Sequence, residues 1–245
     1  MFAHEKLQVY SKALSFTANV MTLVSVWDKK HALVDQFSRA AESVVLNLAE
    51  AARLKDAPAR LNVSDYAIGS ALECAGCLDV ARIKGLLKES QCDQEKKRLC
   101  EITKMLVGLR KAWGQSLMRE EPVPYQTSPG KPPYSHLFPH EDLDVYKTAL
   151  GFVDWFAARP EGQALSAPFF RQLDAATTSI VLNIAEGNGR YAEQDHRKFL
   201  KIAAQSAVKA SAYLDLGVAR KLLLEHDVAT GKKILWRVNA MLTAM

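Results

Sequence analysis

In the second half of the chain, Leu143, Tyr146, Leu150, Val153 and Phe156 step by three and four residues. Phe169, Leu173, Ala176, Ile180, Asn183, Ile184 and Gly187 do the same, as do Phe199, Ile202, Ala203, Ser206, Ala210, Tyr213, Leu214 and Gly217. Leu235, Val238, Met241 and Leu242 form a fourth stripe. The first half carries four matching stripes: Leu7, Tyr10, Leu14; Leu33, Phe37, Ala40, Val44, Leu48; Tyr66, Ser70, Cys74, Cys77; and Leu99, Ile102, Leu106, Leu109, Trp113. This spacing gathers the apolar side chains on one face of a helix. No sustained period-two alternation and no Asn-Gly hairpin interrupts the pattern. It predicts an all-α protein, each half holding four helices of roughly 15–30 residues arranged as an up-down four-helix bundle.

The halves match residue by residue at a constant spacing of 136 (140 − 4; 152 − 16). Phe2, His4, Glu5, Leu7, Val9 and Tyr10 recur as Phe138, His140, Glu141, Leu143, Val145 and Tyr146. Ser43, Leu46, Asn47 and Glu50 recur as Ser179, Leu182, Asn183 and Glu186, Asp79 as Asp215, and Lys96 as Lys232. Four such blocks in one register identify a tandem duplication. Six prolines fall between Glu121 and Pro139. The expected organisation is therefore a first bundle at 1–118, a Pro-rich, semi-rigid linker at 119–137 and a second bundle at 138–245. Pro58, Pro160 and Pro168 fall where loops or helix starts are expected.

Composition changes this picture little. The chain has 245 residues, 49% hydrophobic and 24% charged, which suits a globular protein with its own cores. No apolar run reaches the length of a membrane span, and no basic-then-apolar leader opens the sequence, so a cytoplasmic protein without membrane contact is expected. The net charge of +5 is compatible with an anionic partner without demanding one.

Catalytic and metal chemistry find little support. All four cysteines lie in the first half, and Tyr213 and Trp236 stand where the first half has Cys77 and Cys100. Positions that alternate between Cys and an aromatic suggest packing. Cys74-x-x-Cys77 has metal or redox spacing but lies in a helical pattern with no second ligand pair. His4-Glu5 and His140-Glu141 precede the first helix of each copy, where a glutamate favours the helix dipole. An enzyme would have to use Glu50, Glu186 and the histidines, with no nucleophile elbow, P-loop or His-Glu-x-x-His motif behind them. No catalytic residue, cofactor or metal is expected.

Asn47 and Asn183 lie on the apolar stripe of the second helix of each copy, with Ser70 and Ser206 mid-stripe on the third. A buried amide needs partners, so these four form a candidate structural polar network. Gly187 and Gly189 suit a helix end, leaving Arg190 at or beyond the terminus, free to pair with a carboxylate or phosphate. With no strand before it and no third glycine, this Gly-x-Gly is not a dinucleotide loop.

The motifs Leu143-x-Val-Tyr146, Ser179-Ile-x-x-Asn183-Ile-Ala-Glu186-Gly187, Arg190, Phe199-Leu200-x-Ile202-Ala203 and Ser206 resemble a bacterial four-helix-bundle family. Its members include the protein encoded by the intervening sequence of 23S rRNA genes and the accessory variability determinant of diversity-generating retroelements. The resemblance covers 138–245 and is weaker over 2–118, where Glu50-Ala51-Ala52-Arg53-Leu54 replaces Glu-Gly-x-Gly-Arg. It implies a non-enzymatic bundle that assembles into a ring, usually of five, with a basic surface for RNA or DNA. In the retroelement branch it also implies a reverse transcriptase partner.

Basic residues fit that implication. Lys97, Lys104 and Lys111 recur every seven residues on one side of the fourth helix, and Arg197, Lys198 and Lys201 open the third helix of the second copy. With Arg190 they are the candidate nucleic-acid-binding residues, able to neutralise phosphates without reading sequence. The expectation is a non-catalytic adaptor for RNA or DNA that forms a homo-oligomer. The rival is a structural or protein-interaction module. Because each chain carries two bundles, a closed assembly would hold an even number of them, or a ring of second copies with the first copies outside.

Overall fold

The computed structural model describes residues 2–115, 137–159 and 167–245. Eight helices account for nearly all of them: α1 (Gln8–Ser25), α2 (Leu33–Arg53), α3 (Ala57–Ile83), α4 (Glu89–Gln115), α5 (Asp144–Ala157), α6 (Ala167–Gly187), α7 (Glu193–Ala219) and α8 (Glu225–Ala244). Among the described residues there is no strand. Within each half every helix lies against its chain neighbours and the first closes on the fourth, so each copy is an up-down four-helix bundle. The expected linker, 119–137, lies outside the described residues except for Leu137.

The stripes become the two cores. Val9, Phe16, Phe37, Val44, Leu48, Leu78, Leu99 and Ile102 fill the first bundle, and Phe152, Leu173, Ile180, Leu200, Leu214, Leu235 and Val238 the second. Pro58 stands in the first turn of α3, whose N-cap Asp56 accepts from the Ala59 amide at 3.0 Å.

Helix α3 departs from the amphipathic expectation. Nearly every residue from Ser64 to Ala81 is buried, on all sides. The reason is its position: α3 belongs to the first bundle and also packs along α6 and α5 of the second. A helix buried on all sides is mostly apolar; α3 supplies Gly69, Ala71, Ala75, Gly76 and Ala81, and its buried Asp65 and Asp79 are paired with Arg110 and Lys96. Backbones approach closely along this seam. A methyl group on Gly189 would lie 2.7 Å from the Gly69 Cα, and one on Gly76 would lie 3.1 Å from a Leu182 methyl.

The two copies turn the corner between their third and fourth helices alike. Gly85, after α3, has φ +69°, and its repeat equivalent Lys221, after α7, has φ +55°. The Leu86 amide donates to the Ala81 carbonyl at 2.9 Å, and Leu222 to Gly217 at 2.8 Å, closing the same helix-end motif. A side chain in this left-handed region costs about 1–2 kcal/mol, which glycine avoids. Lys221→Gly should therefore stabilise the protein by roughly 0.5–1 kcal/mol, and Gly85→Ala should destabilise it by at least as much. Urea unfolding of both variants checks the pair.

Candidate functional site

Lys97, Lys104 and Lys111 stand exposed along α4, facing away from Leu99, Ile102 and Leu106. Seven residues of helix separate neighbours by about 10 Å along the axis. Glu101 lies between the first two but is engaged by Lys12 at 3.0 Å. Among the described residues no carboxylate is within ion-pair distance of the three lysines. On α7, Lys198 and Lys201 are exposed, while Arg197 pairs with Glu193 of its own helix at 2.6 Å.

Arg190 does not join either basic face. Its side chain is only 5% exposed. It is bonded to Glu186 and lies between the rings of Tyr66 and Phe199, at 4.6 and 4.7 Å from their centroids. The expectation of a free arginine beyond the helix end fails because α3 covers that end. The arginine lies against Gly69, where any larger residue would displace it.

The polar network takes a different form from the one expected. Asn47 and Asn183 are half-buried, and each donates to a serine one turn back in its own helix. Asn47 reaches the Ser43 carbonyl and hydroxyl at 2.8 Å, and the Ser43 hydroxyl meets that of Ser70 at 2.8 Å. Asn183, Ser179 and Ser206 repeat the arrangement, with the two hydroxyls 2.9 Å apart. The serine on the second helix is thus the hinge of the network in both copies.

The histidine–glutamate pairs stand just before α1 and α5. They form short 3-10 turns in which Glu5 accepts from the Phe2 amide at 2.6 Å and Glu141 from the Phe138 amide at 2.8 Å. His140 is enclosed between Phe138 and Tyr146, and burial, with the Lys96 charge nearby, pushes it down to about 3, so it is neutral. Cys74 and Cys77 are fully buried in α3, and burial pushes both thiols up. Trp236, expected as a packing residue, stands exposed where its counterpart Cys100 is buried. Among the described residues no cluster of His, Cys, Asp or Glu could hold a metal ion, and no helix is long and apolar enough to cross a membrane.

The most concentrated buried charge lies in the seam between the bundles, among residues not singled out as sites. The Lys96 ammonium of α4 donates to Asp79 of α3 at 2.7 Å and to Glu141, and the Tyr146 hydroxyl donates to Asp79 at 2.9 Å. Burial alone would lower Lys96, but the two carboxylates outweigh it and keep it protonated. Further along, Lys84 donates to Asp174 at 2.5 Å and to the Thr178 hydroxyl at 2.9 Å. A cavity of about 270 Å³ opens beside Arg190, lined in part by Arg39, Asn47, Ser70, Glu73 and Glu186. Burial, aided by the Glu186 charge, raises Glu73 to about 8, so Glu73 is protonated near neutral pH. The identity of Asp79, Lys96, Glu141 and Tyr146 in both copies was the sequence signal for this seam.

Compared with known families, the chain matches the model of the 23S rRNA-intervening sequence protein twice, over residues 5–108 and 141–244. The chain belongs to this family. The two matches fall on the two bundles, so it is a tandem form of the family's helical domain. No curated protein and no solved structure matches it.

Two buried groups make stability depend on pH in opposite senses. His140 is neutral when folded and titrates at its ordinary 6.5 when unfolded, so stability is lost as pH falls below 6.5. Glu73 keeps its proton when folded and loses it from an ordinary value of 4.5 when unfolded, so its contribution to stability falls as pH rises towards 8. Above about pH 7 His140 is mostly neutral in both states, so from there to pH 8 Glu73 sets the direction, with a slope of at most about 1.4 kcal/mol per pH unit. Urea melts across that interval should show stability falling in the wild type, and Glu73→Gln should flatten the fall.

Proposed function

We propose that this protein is a non-catalytic accessory protein that binds RNA or DNA through the lysine stripe of α4. The observation that carries the proposal is Lys97, Lys104 and Lys111, exposed in a row and without carboxylate partners among the described residues. Such a row suits a phosphate backbone and carries no means of reading bases. Lys198 and Lys201 on α7 add a second, smaller basic group. The buried ionisable groups support a non-enzymatic role, because they are occupied with one another. Glu186 is tied to Arg190, Lys96 to two carboxylates, and His140 is neutral and enclosed. The resemblance of the second copy to the retroelement accessory determinant supports a reverse transcriptase as the protein partner. Co-purification with a reverse transcriptase encoded beside the gene tests that part.

A second role, as an assembly module, is favoured by the large apolar side chains left in the open, Leu46, Val208, Leu216 and Trp236. The two roles differ in their response to salt. Binding to duplex or single-stranded nucleic acid should weaken by about 0.7–0.9 log units per log unit of salt for each phosphate neutralised. Replacing Lys97, Lys104 and Lys111 together by Glu should weaken binding at least tenfold and lower that slope by roughly 2–3. Circular dichroism should be unchanged, because all three face solvent. A flat salt response, or wild-type binding by the triple variant, would remove the nucleic-acid role from this face.

A further inference from the structure

Further along the seam from Arg190, a second cavity, of about 180 Å³, lies between the two bundles. The loop before α2 contributes Lys30 and His31, the C-cap of α3 Lys84, the chain just after α5 Arg159, and the first half of α6 Phe170 and Asp174. Its single carboxylate is already occupied. Asp174 accepts from Lys84 at 2.5 Å and from the Ala32 amide at 2.9 Å. That pair cancels its own charge, which leaves Lys30 and Arg159 as a surplus of two cations beside His31. Their nearest carboxylates do not line the cavity. Asp28, 58% exposed, is 3.2 Å from Lys30, and Asp227 is 3.8 Å from Arg159, beyond hydrogen-bond length.

Two buried nitrogens of these residues have no hydrogen-bond partner among the described residues, Arg159 Nε and His31 Nδ1. The imidazole nitrogen stands 3.9 Å from Asp174, too far to bond it. A buried donor left unmade is costly, so an acceptor placed in the cavity gains by supplying the bond. Aromatic rings hold the donors in position beforehand. The Lys30 ammonium lies 5.8 Å from the Phe170 centroid, His31 meets the same ring edge-on, and Arg159 lies 4.0 Å from the Trp155 centroid. Groups placed in advance lose little freedom when a ligand arrives. The arrangement is also private to this junction. The repeat counterparts of His31, Arg159, Phe170 and Asp174 are Ala167, Leu23, Val34 and Ser38, and only Lys84 keeps its charge, as Arg220. Residues that differ between the copies thus converge on one point where the two bundles meet.

We infer that this cavity binds a phosphate dianion, free or as the phosphate of a small monoester, between Lys30, His31 and Arg159. A dianion matches the surplus of two cations, which a carboxylate would only half neutralise. Its oxygens can accept from Arg159 Nε and His31 Nδ1 at once, and a guanidinium suits such an oxyanion in geometry as well as charge. The space holds a phosphate group and a few further atoms, and does not admit a strand of nucleic acid. The site is therefore separate from the lysine row of α4, which lies on an open helix face.

Calorimetric titration of the full chain with inorganic phosphate and with ribose 5-phosphate tests this, at about pH 7.5, where both are largely dianionic, and at an ionic strength fixed with chloride. One saturable site per chain is expected, with a dissociation constant of about 1 mM or tighter. Lys30→Gln and Arg159→Gln should each weaken it by about tenfold. The Lys30 side chain is 46% exposed, so its variant should melt like the wild type in chloride, while phosphate raises the melting temperature of the wild type alone. The His31 ring resonances should move during the titration, which phosphate bound elsewhere would not cause. Equal affinity for the two probes identifies free phosphate as the ligand, and tighter binding of the ester identifies a sugar phosphate. No saturable binding of either probe, wild-type affinity in both variants, or unmoved His31 resonances would each overturn the inference.

Discussion

A buried ammonium cannot exist without its counter-charges, and Lys96 sets the geometry of the whole molecule for that reason. It extends from α4 of the first bundle between Asp79 of α3 and Glu141 of the second bundle's 3-10 turn. Removing one partner from such a buried group costs on the order of 3–5 kcal/mol, whereas the intact cluster is worth far less to stability than that. Its effect is on register. Only one placement of α5 along α3 brings Glu141 to Lys96 and the Tyr146 hydroxyl to Asp79, and a shift by one helical turn would part Glu141 from its ammonium and leave Asp79 without the hydroxyl. Apolar contact between α3 and α6 holds the bundles together, and the charges select how.

The close packing of the seam follows from that selection. With the bundles in register, α6 runs down α3 where Gly69 and Gly76 leave no side chains in the way, and Gly189 can touch the α3 backbone. Arg190 is then enclosed rather than free, with Glu186 neutralising it and two aromatic rings covering its faces. Glu73, on the same side of α3, is left facing Glu186 and resolves the conflict by keeping its proton. The glycines, the enclosed arginine and the protonated glutamate are consequences of one docking geometry.

The helices, their order and the duplication were legible in the sequence, because each depends on periodicity within one copy. Stripes such as Leu173–Ile180–Ile184 became core as expected. The lysine row on α4 was also legible, since a charge on the far side of an apolar stripe must face solvent unless something covers it. What could not be read was the covering. Arg190 looked free because its local sequence describes a helix end, and the helix that buries it lies more than a hundred residues earlier. Trp236 looked like a packing residue because Cys stands at its counterpart, position 100, yet among the described residues no other bundle packs on its face. Asn183 was placed correctly as the polar member of its stripe, but its partner is Ser179 in its own helix, one turn away, and only through Ser179 does Ser206 join.

Duplicated chains usually lose the matching of surfaces that they no longer use, and here the pattern of loss and retention is informative. Positions whose role depends on enclosure by the other copy have diverged. Gly69 became Gln205, and Gly189 stands opposite Arg53 in the repeat. Positions of the Lys96 cluster have not diverged, even where no second bundle covers them. Asp215, Lys232, Glu5 and Tyr10 keep the identities of Asp79, Lys96, Glu141 and Tyr146. Glu5 holds the Phe2 amide and Tyr10 packs on His4 and the first core, so each has a local reason to stay, but an exposed Lys–Asp pair is worth at most about 1 kcal/mol and fold stability gives little reason to keep Asp215 and Lys232. Enclosure by another surface would give one, because only a desolvated cluster makes each member indispensable to the rest. Of the seam's charge cluster, only the Asp215–Lys232 pair is thus kept without a local reason, whereas Asp79 and Lys96 are enclosed by Glu141 and Tyr146.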